Sequence, residues 1–210
     1  MDLSLYKMTP LEEWITTTYL QHSITTPDDL SLEHVVASFG GEIALLKTRS
    51  HARWIEDGTG DFIIIIDSRL DEATQRSEFY HELCHPLRHV GNQQMLPKAF
   101  RDLQETQATM FQLYASIPFF MIKELDMPDL EHNVPYQWAQ IFKTPLPLAV
   151  QRFRQIKSRI NQEEYQKTIN SYFQNQHSKS NPSNWSDETK QLFLTAIRRK
   201  LEKSKGVVIQ

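Results

Sequence analysis

The 210-residue chain has a single cysteine, Cys84, so no intramolecular disulfide can brace it, and a reducing, cytoplasmic setting is expected. Glycine is scarce too, at six residues, which disfavours an all-β fold rich in tight turns and suits a helix-dominated one. The longest uninterrupted apolar run is Phe62 to Ile66, against the roughly 20 residues needed to span a bilayer, so no membrane segment is expected. Met1 to Pro10 has no basic stretch followed by an apolar core, and no signal peptide is expected. Neither sign of charge is in large excess. The 23 basic and 26 acidic side chains leave −3, with no global pull toward nucleic acid or an anionic membrane. What is present, 40% hydrophobic and 23% charged residues, is the composition of a folded chain with room for one domain, or a small catalytic domain with a helical annex.

Helical and extended patterns alternate along the chain. Pro10 opens a helix whose first turn carries Glu12 and Glu13, with Leu11, Trp14, Ile15 and Tyr19 at helical spacing. A turn near Thr26-Pro27-Asp28-Asp29 leads to a second helix containing Leu32, Val35, Val36 and Phe39, stopped by Gly40-Gly41. Three strands are predicted at Glu42–Lys47, His51–Glu56 and Asp61–Asp67, the last two joined by a hairpin turn at Asp57-Gly58-Thr59-Gly60. The third is apolar on both faces and should be covered by helices on at least one side. Helical patterns resume at Asp71 to about Arg88 and about Pro97 to Leu125. After a linker or sharp turn at 126–135, helices are predicted at Tyr136–Phe142, Pro147–Ile160 and Glu163–Phe173. A polar loop at Asn175–Asn184 precedes a last helix from near Ser186 to near Gly206.

One segment carries chemistry: Phe79-Tyr80-His81-Glu82-Leu83-Cys84-His85. His81 and His85 are four residues apart, which on a helix puts their Cβ atoms roughly 5–6 Å apart on one face. Two imidazoles so placed can close on one Zn²⁺, and Glu82, a step around the helix, can hold and deprotonate a water. With eight histidines in the chain, a chance His-Glu-x-x-His is expected only about 0.02 times. A catalytic zinc needs a third protein ligand and one open position. Arg88 and Gly91 stand where one extended motif needs a glycine and a third histidine, so an acid from the next helix is expected. Glu105 is best placed, with Asp102 and Glu124 as competitors. Ala108 and Phe111 give its helix an apolar stripe to lay beside the histidine helix. Pro86 removes a hydrogen bond to the Glu82 carbonyl, so the helix is expected to kink or end there, leaving His89 a surface or supporting histidine. Cys84 reads as a small packing residue. Tyr80, Tyr114 and His89 are the candidate donors to a developing oxyanion.

The run Ile63 to Asp67, Arg76, the Phe79–His85 segment, Glu105-x-x-Ala108-x-x-Phe111 and Pro118 together resemble the ImmA/IrrE-type metallopeptidases. The helix of that family commonly reads Glu-x-Glu-Ala-Asn-x-Phe-Ala and ends in a proline. Here the matching stretch is Glu105-Thr106-Gln107-Ala108-Thr109-Met110-Phe111-Gln112, with Gln107 in place of the second acid. Glu-x-x-Ala also matches a wider class whose third ligand is a helical glutamate, which favours Glu105. The resemblance spans about residues 10 to 160. It implies an α+β, helix-rich, zincin-like fold at 1–125, with a small three-stranded sheet packed by helices, and a helical C-terminal region at 126–210. It further implies a zinc ion held by His81, His85 and Glu105, with Glu82 as catalytic base. The activity implied is cleavage or inactivation of a regulatory protein, typically a helix-turn-helix repressor in bacterial stress or mobile-element regulation.

Between Glu131 and Glu163 there are no acids but five bases: Lys143, Arg152, Arg154, Lys157 and Arg159. Residues 136–160 could form a helix-turn-helix. The plain reading is the solvated face of a helical pair; recognition of a partner protein or of DNA are the functional ones. Two other functions therefore stand beside the peptidase: a non-proteolytic regulator that binds a repressor with zinc as scaffold, and a DNA-binding regulator using the basic helices.

Overall fold

The computed structural model describes residues 1–54, 60–89, 96–176 and 182–205. Within them the chain is α+β and helix-rich, as the sequence implies, with one small sheet among helices. The elements before the sheet are α1 (Pro10–Gln21) and α2 (Leu32–Ser38); β1 (Gly41–Leu46), β2 (His51–Trp54) and β3 (Phe62–Asp67) build it. After it come α3 (Glu72–Arg88), α4 (Lys98–Ser116), α5 (Phe119–Ile122), α6 (Val134–Ile141), α7 (Leu146–Gln176) and α8 (Asp187–Lys205). None of these helices is long and apolar enough to cross a membrane.

The strand with the most apolar sequence takes the centre. The order is β1-β3-β2, with β1 parallel and β2 antiparallel to β3. Phe62, Ile64 and Ile66 are buried on one face of β3, while Ile63 and Ile65 on the other are half-buried. That alternation is the two-residue period of a strand covered more completely on one side. Gly41 pairs with Phe62 across the β1–β3 ladder, and the buried Phe62 ring occupies the space a β-carbon at 41 would need, so any side chain there would have to displace that ring. Gly40, at φ +77°, ends the α2 segment in the left-handed region. The predicted hairpin turn falls outside the described residues except for Gly60.

Two helix boundaries differ from expectation. The long helix predicted from Pro97 to Leu125 stops at Ser116 instead. Pro118 disfavours helical geometry at Ile117, which sits at φ −134°, and the short α5 restarts beyond it. Conversely, the two helices predicted at Pro147–Ile160 and Glu163–Phe173 are one, α7, because Asn161 and Gln162 interrupt the apolar pattern without breaking the backbone.

The chain forms two compact units, Met1–Glu163 and Glu164–Gln210, and residues 126–163 fold within the first. The reason is the burial in α6 and α7. Trp138, Arg152 and Ile156 are fully enclosed, and the Arg152 guanidinium bonds Glu12 Oε1 at 2.8 Å and the Ile117 carbonyl at 3.1 Å. Arg159 donates to the other oxygen of Glu12 at 2.8 Å and to the Tyr114 hydroxyl at 2.7 Å. Lys157 pairs with Glu131 at 2.6 Å. Of the five bases in the acid-free stretch, Lys143 and Arg154 are the ones left exposed. Arg152 is thus unavailable to a phosphate, which removes a central member of the surface expected at 136–160.

Candidate metal centre

The site is assembled on two adjacent helices. Asp71 caps α3 by accepting from the Thr74 amide, and the helix then runs through Pro86 to Arg88 instead of stopping at the proline. The last turn survives because the His89 amide donates to the His85 carbonyl at 3.0 Å, so only the Glu82 carbonyl loses its helical partner. His81 and His85 consequently share one face, their ring centroids 5.3 Å apart. Phe79, Tyr80, Leu83 and Cys84 fill the inner side of the same helix. Burial pushes the Cys84 thiol up to about 12, leaving it an inert packing residue.

On α4, Glu105, Ala108 and Gln112 form one stripe at spacings of three and four. Ala108 is fully buried, and Gln112 Nε2 donates to the carbonyl and hydroxyl of Ser77 on α3 at 2.8 and 2.9 Å. The stripe brings Glu105 to the histidines. Its Oε2 lies 3.1 Å from His81 Nε2 and its Oε1 3.9 Å from His85 Nε2. Ligand atoms of the three residues all fall within 4.8 Å of one another. Two donors around a tetrahedral ion at 2.0–2.1 Å stand about 3.3 Å apart, so these separations bracket what one zinc requires. Asp102 and Glu124 are not in this group.

Glu82 lies between helix and sheet. Burial, then the negative charges of Glu105 and Glu78, raise its carboxyl to about 7, against the smaller opposing effects of the Arg49 cation and the Ala52 amide. That amide belongs to β2, the sheet-edge strand, so the carboxylate is tied to the sheet. Arg49 and Ala52 were not foreseen; their only trace in the sequence is that they flank the entry to a short strand. Burial also drives His85 down to about 4, so at neutral pH this ring is an uncharged base with a lone pair to offer.

Of the three suggested oxyanion donors, Tyr114 and His89 are engaged elsewhere and Tyr80 is enclosed in the core. Tyr80 is fully buried beside Phe79 and Arg76. Tyr114 sits nine residues, or about 13 Å of helix, beyond Glu105, where its hydroxyl accepts from Arg159. His89 is 4% exposed and stands behind His85, Nδ1 to Nδ1 at 2.9 Å, with its Nε2 3.2 Å from Gln107 Oε1.

This geometry coincides with a family likeness. Residues 44–154, more than half of the chain, match the peptidase family described as the IrrE N-terminal-like domain. Two proteins of Bacillus subtilis (strain 168) are similar at 25% identity. One is the uncharacterized protein YqaB, over 78% of this chain and 94% of that protein. The other is the phage-like element PBSX protein XkdA, over 76% of this chain and 79% of that protein.

Proposed function

The chain belongs to the IrrE N-terminal-like domain family of peptidases, and on that premise we propose that it is a zinc-dependent endopeptidase acting on a regulatory protein. The observation that carries the reading is the convergence of His81, His85 and Glu105 at ligand spacing with Glu82 held alongside. Two imidazoles and one carboxylate, drawn from two packed helices, are the donor set of a hydrolytic zinc site with an open position. Calcium and magnesium, which want six or more oxygens, do not suit it. Zinc supplies, when bound, Lewis-acid polarisation of the scissile carbonyl and a water acidic enough to react near neutral pH.

The protein's own residues supply the proton transfers. Glu82, with a carboxyl that titrates near 7, takes a proton from the attacking water as the new C–O bond forms. It then delivers that proton to the nitrogen as the C–N bond breaks, ending in the charge state in which it began. The phage-element relative favours a substrate in mobile-element regulation, such as a helix-turn-helix repressor.

The test is to mix the zinc-loaded protein, at a tenth of the substrate concentration, with the candidate repressor of the same genetic element. Defined fragments accumulating well beyond the enzyme concentration are expected. Glu82→Gln should keep its zinc and yield no fragments. Full turnover in that variant would remove the general base, and stoichiometric release of intact repressor would support the non-proteolytic regulator.

A further inference from the structure

His81, His85 and the C-cap residue His89 follow one another at four-residue spacing at the end of α3, and His89 lies outside the His81–His85–Glu105 group. His85 and His89 rings are 5.0 Å apart, centroid to centroid, on the side of His85 away from Glu105. Each neutral imidazole has one N–H and one lone pair, so a chain of them has a direction. The direction here starts at Gln107. Its Oε1 accepts and cannot donate, so His89 Nε2 carries a hydrogen and donates to it at 3.2 Å. With the ring's one hydrogen on Nε2, His89 Nδ1 offers its lone pair toward His85. That atom then accepts from His85 Nδ1–H at 2.9 Å. The remaining lone pair of His85 is left on Nε2, the atom facing Glu105. Turning the Gln107 amide around would reverse every bond and put a hydrogen on Nε2, where a metal must bind.

We propose that Gln107 and His89 are positioning residues that hold His85 in its Nδ1–H tautomer, aiming an Nε2 lone pair at the metal position. This rests on the reading of His81, His85 and Glu105 as the metal-holding set. It gives Gln107, where the resembled motif has an acid, a task that needs an acceptor and no charge. Supporting partners of this kind contribute roughly 10- to 100-fold to metal affinity elsewhere.

Gln107 is exposed, so replacing it leaves the core untouched. Long-range ¹⁵N–¹H spectra of the metal-free, full-length protein at pH 8 report the tautomer of each histidine, and competition with a chromogenic chelator reports zinc affinity. In the wild type, His85 is expected as Nδ1–H. Gln107→Leu should bring up the Nε2–H form and weaken zinc binding roughly 10- to 100-fold. Gln107→Glu, an acceptor of the same length, should restore both. A wild-type His85 protonated on Nε2, or a Gln107→Leu protein with unchanged tautomer and affinity, would overturn the proposal, as would failure of Gln107→Glu to restore. If the wild type shows the Nδ1–H tautomer but binds no zinc, the relay stands and the metal reading falls.

Discussion

Replacing Glu82 by glutamine in the metal-free protein is expected to stabilise it at alkaline pH and to change little in acid. In the folded chain the Glu82 carboxyl is raised from 4.5 to about 7, first by burial and then by Glu105 and Glu78. The unfolded chain releases that proton near 4.5, so between these values the folded state binds more protons than the unfolded one. Stability from this group is therefore full below about 4.5 and declines until the pH passes about 7. At about 1.4 kcal/mol per pH unit, the whole loss is roughly 3 kcal/mol, and partial access of water reduces it to about 1–2 kcal/mol. Glutamine has the same shape, still accepts from the Ala52 amide, and never ionises. Urea unfolding of both proteins should give nearly equal midpoints at pH 5 and a higher midpoint for Glu82→Gln at pH 8. A variant destabilised equally at both values would show that the carboxylate is not held against its own charge, and the argument for a base poised near neutrality would fail with it.

His81→Ala and Glu105→Gln should each lower bound zinc, measured by elemental analysis, from about one per chain to a trace, with the helical circular dichroism intact because both side chains are partly solvent-exposed. Arg152→Ala should cost about 1.5–3 kcal/mol in urea unfolding, since it takes one of two arginines from the buried Glu12 and leaves the Ile117 carbonyl without its donor, whereas Arg154→Ala, on the exposed face, should stay within about 0.5 kcal/mol. Equal effects would place Arg152 at the surface. Phe111→Ala, in the buried stripe of α4, should cost about 3–5 kcal/mol by the same assay.

What could be read from the sequence was local. The pairing of His81 with His85 needs only a helix, and the helix declares itself by its cap and its apolar side. The five-residue apolar run declared the central strand for the same reason, since nothing but burial on both faces explains Ile63 and Ile65 beside Ile64. Glu105 required one step more, a guess at which neighbouring helix lies alongside; Ala108 and Phe111 supplied it. Arg152 could not be read. In a run of bases at helical spacing, a residue that points inward is identical in type to one that points out, and the acid that decides the matter, Glu12, is 140 residues away. Glu12 itself looked like an ordinary first-turn acid. It does cap α1, accepting from the Thr9 amide at 2.8 Å, but the same carboxylate is the anchor of two arginines.

The arginine network bears on the candidate metal centre through α4. Glu105 is more than half exposed, so side-chain packing does not fix it; its position is inherited from the helix backbone. That backbone is fastened along its far half. Gln112 bonds Ser77 on α3, Tyr19 of α1 donates to the Ala115 carbonyl at 3.0 Å, Arg159 reaches Tyr114, and Arg152 takes the Ile117 carbonyl. A buried ion cluster contributes little net stability, because desolvating its charges offsets most of their attraction. Its hydrogen-bond directions are nonetheless specific, and here they fix the end of α4 against α1 and α7. The near half carries Glu105 out from these supports to the histidines on α3, at the distances one small ion would need. A carboxylate on a mobile loop would have to be ordered by the metal at a cost in affinity. One delivered on a clamped helix is already in place.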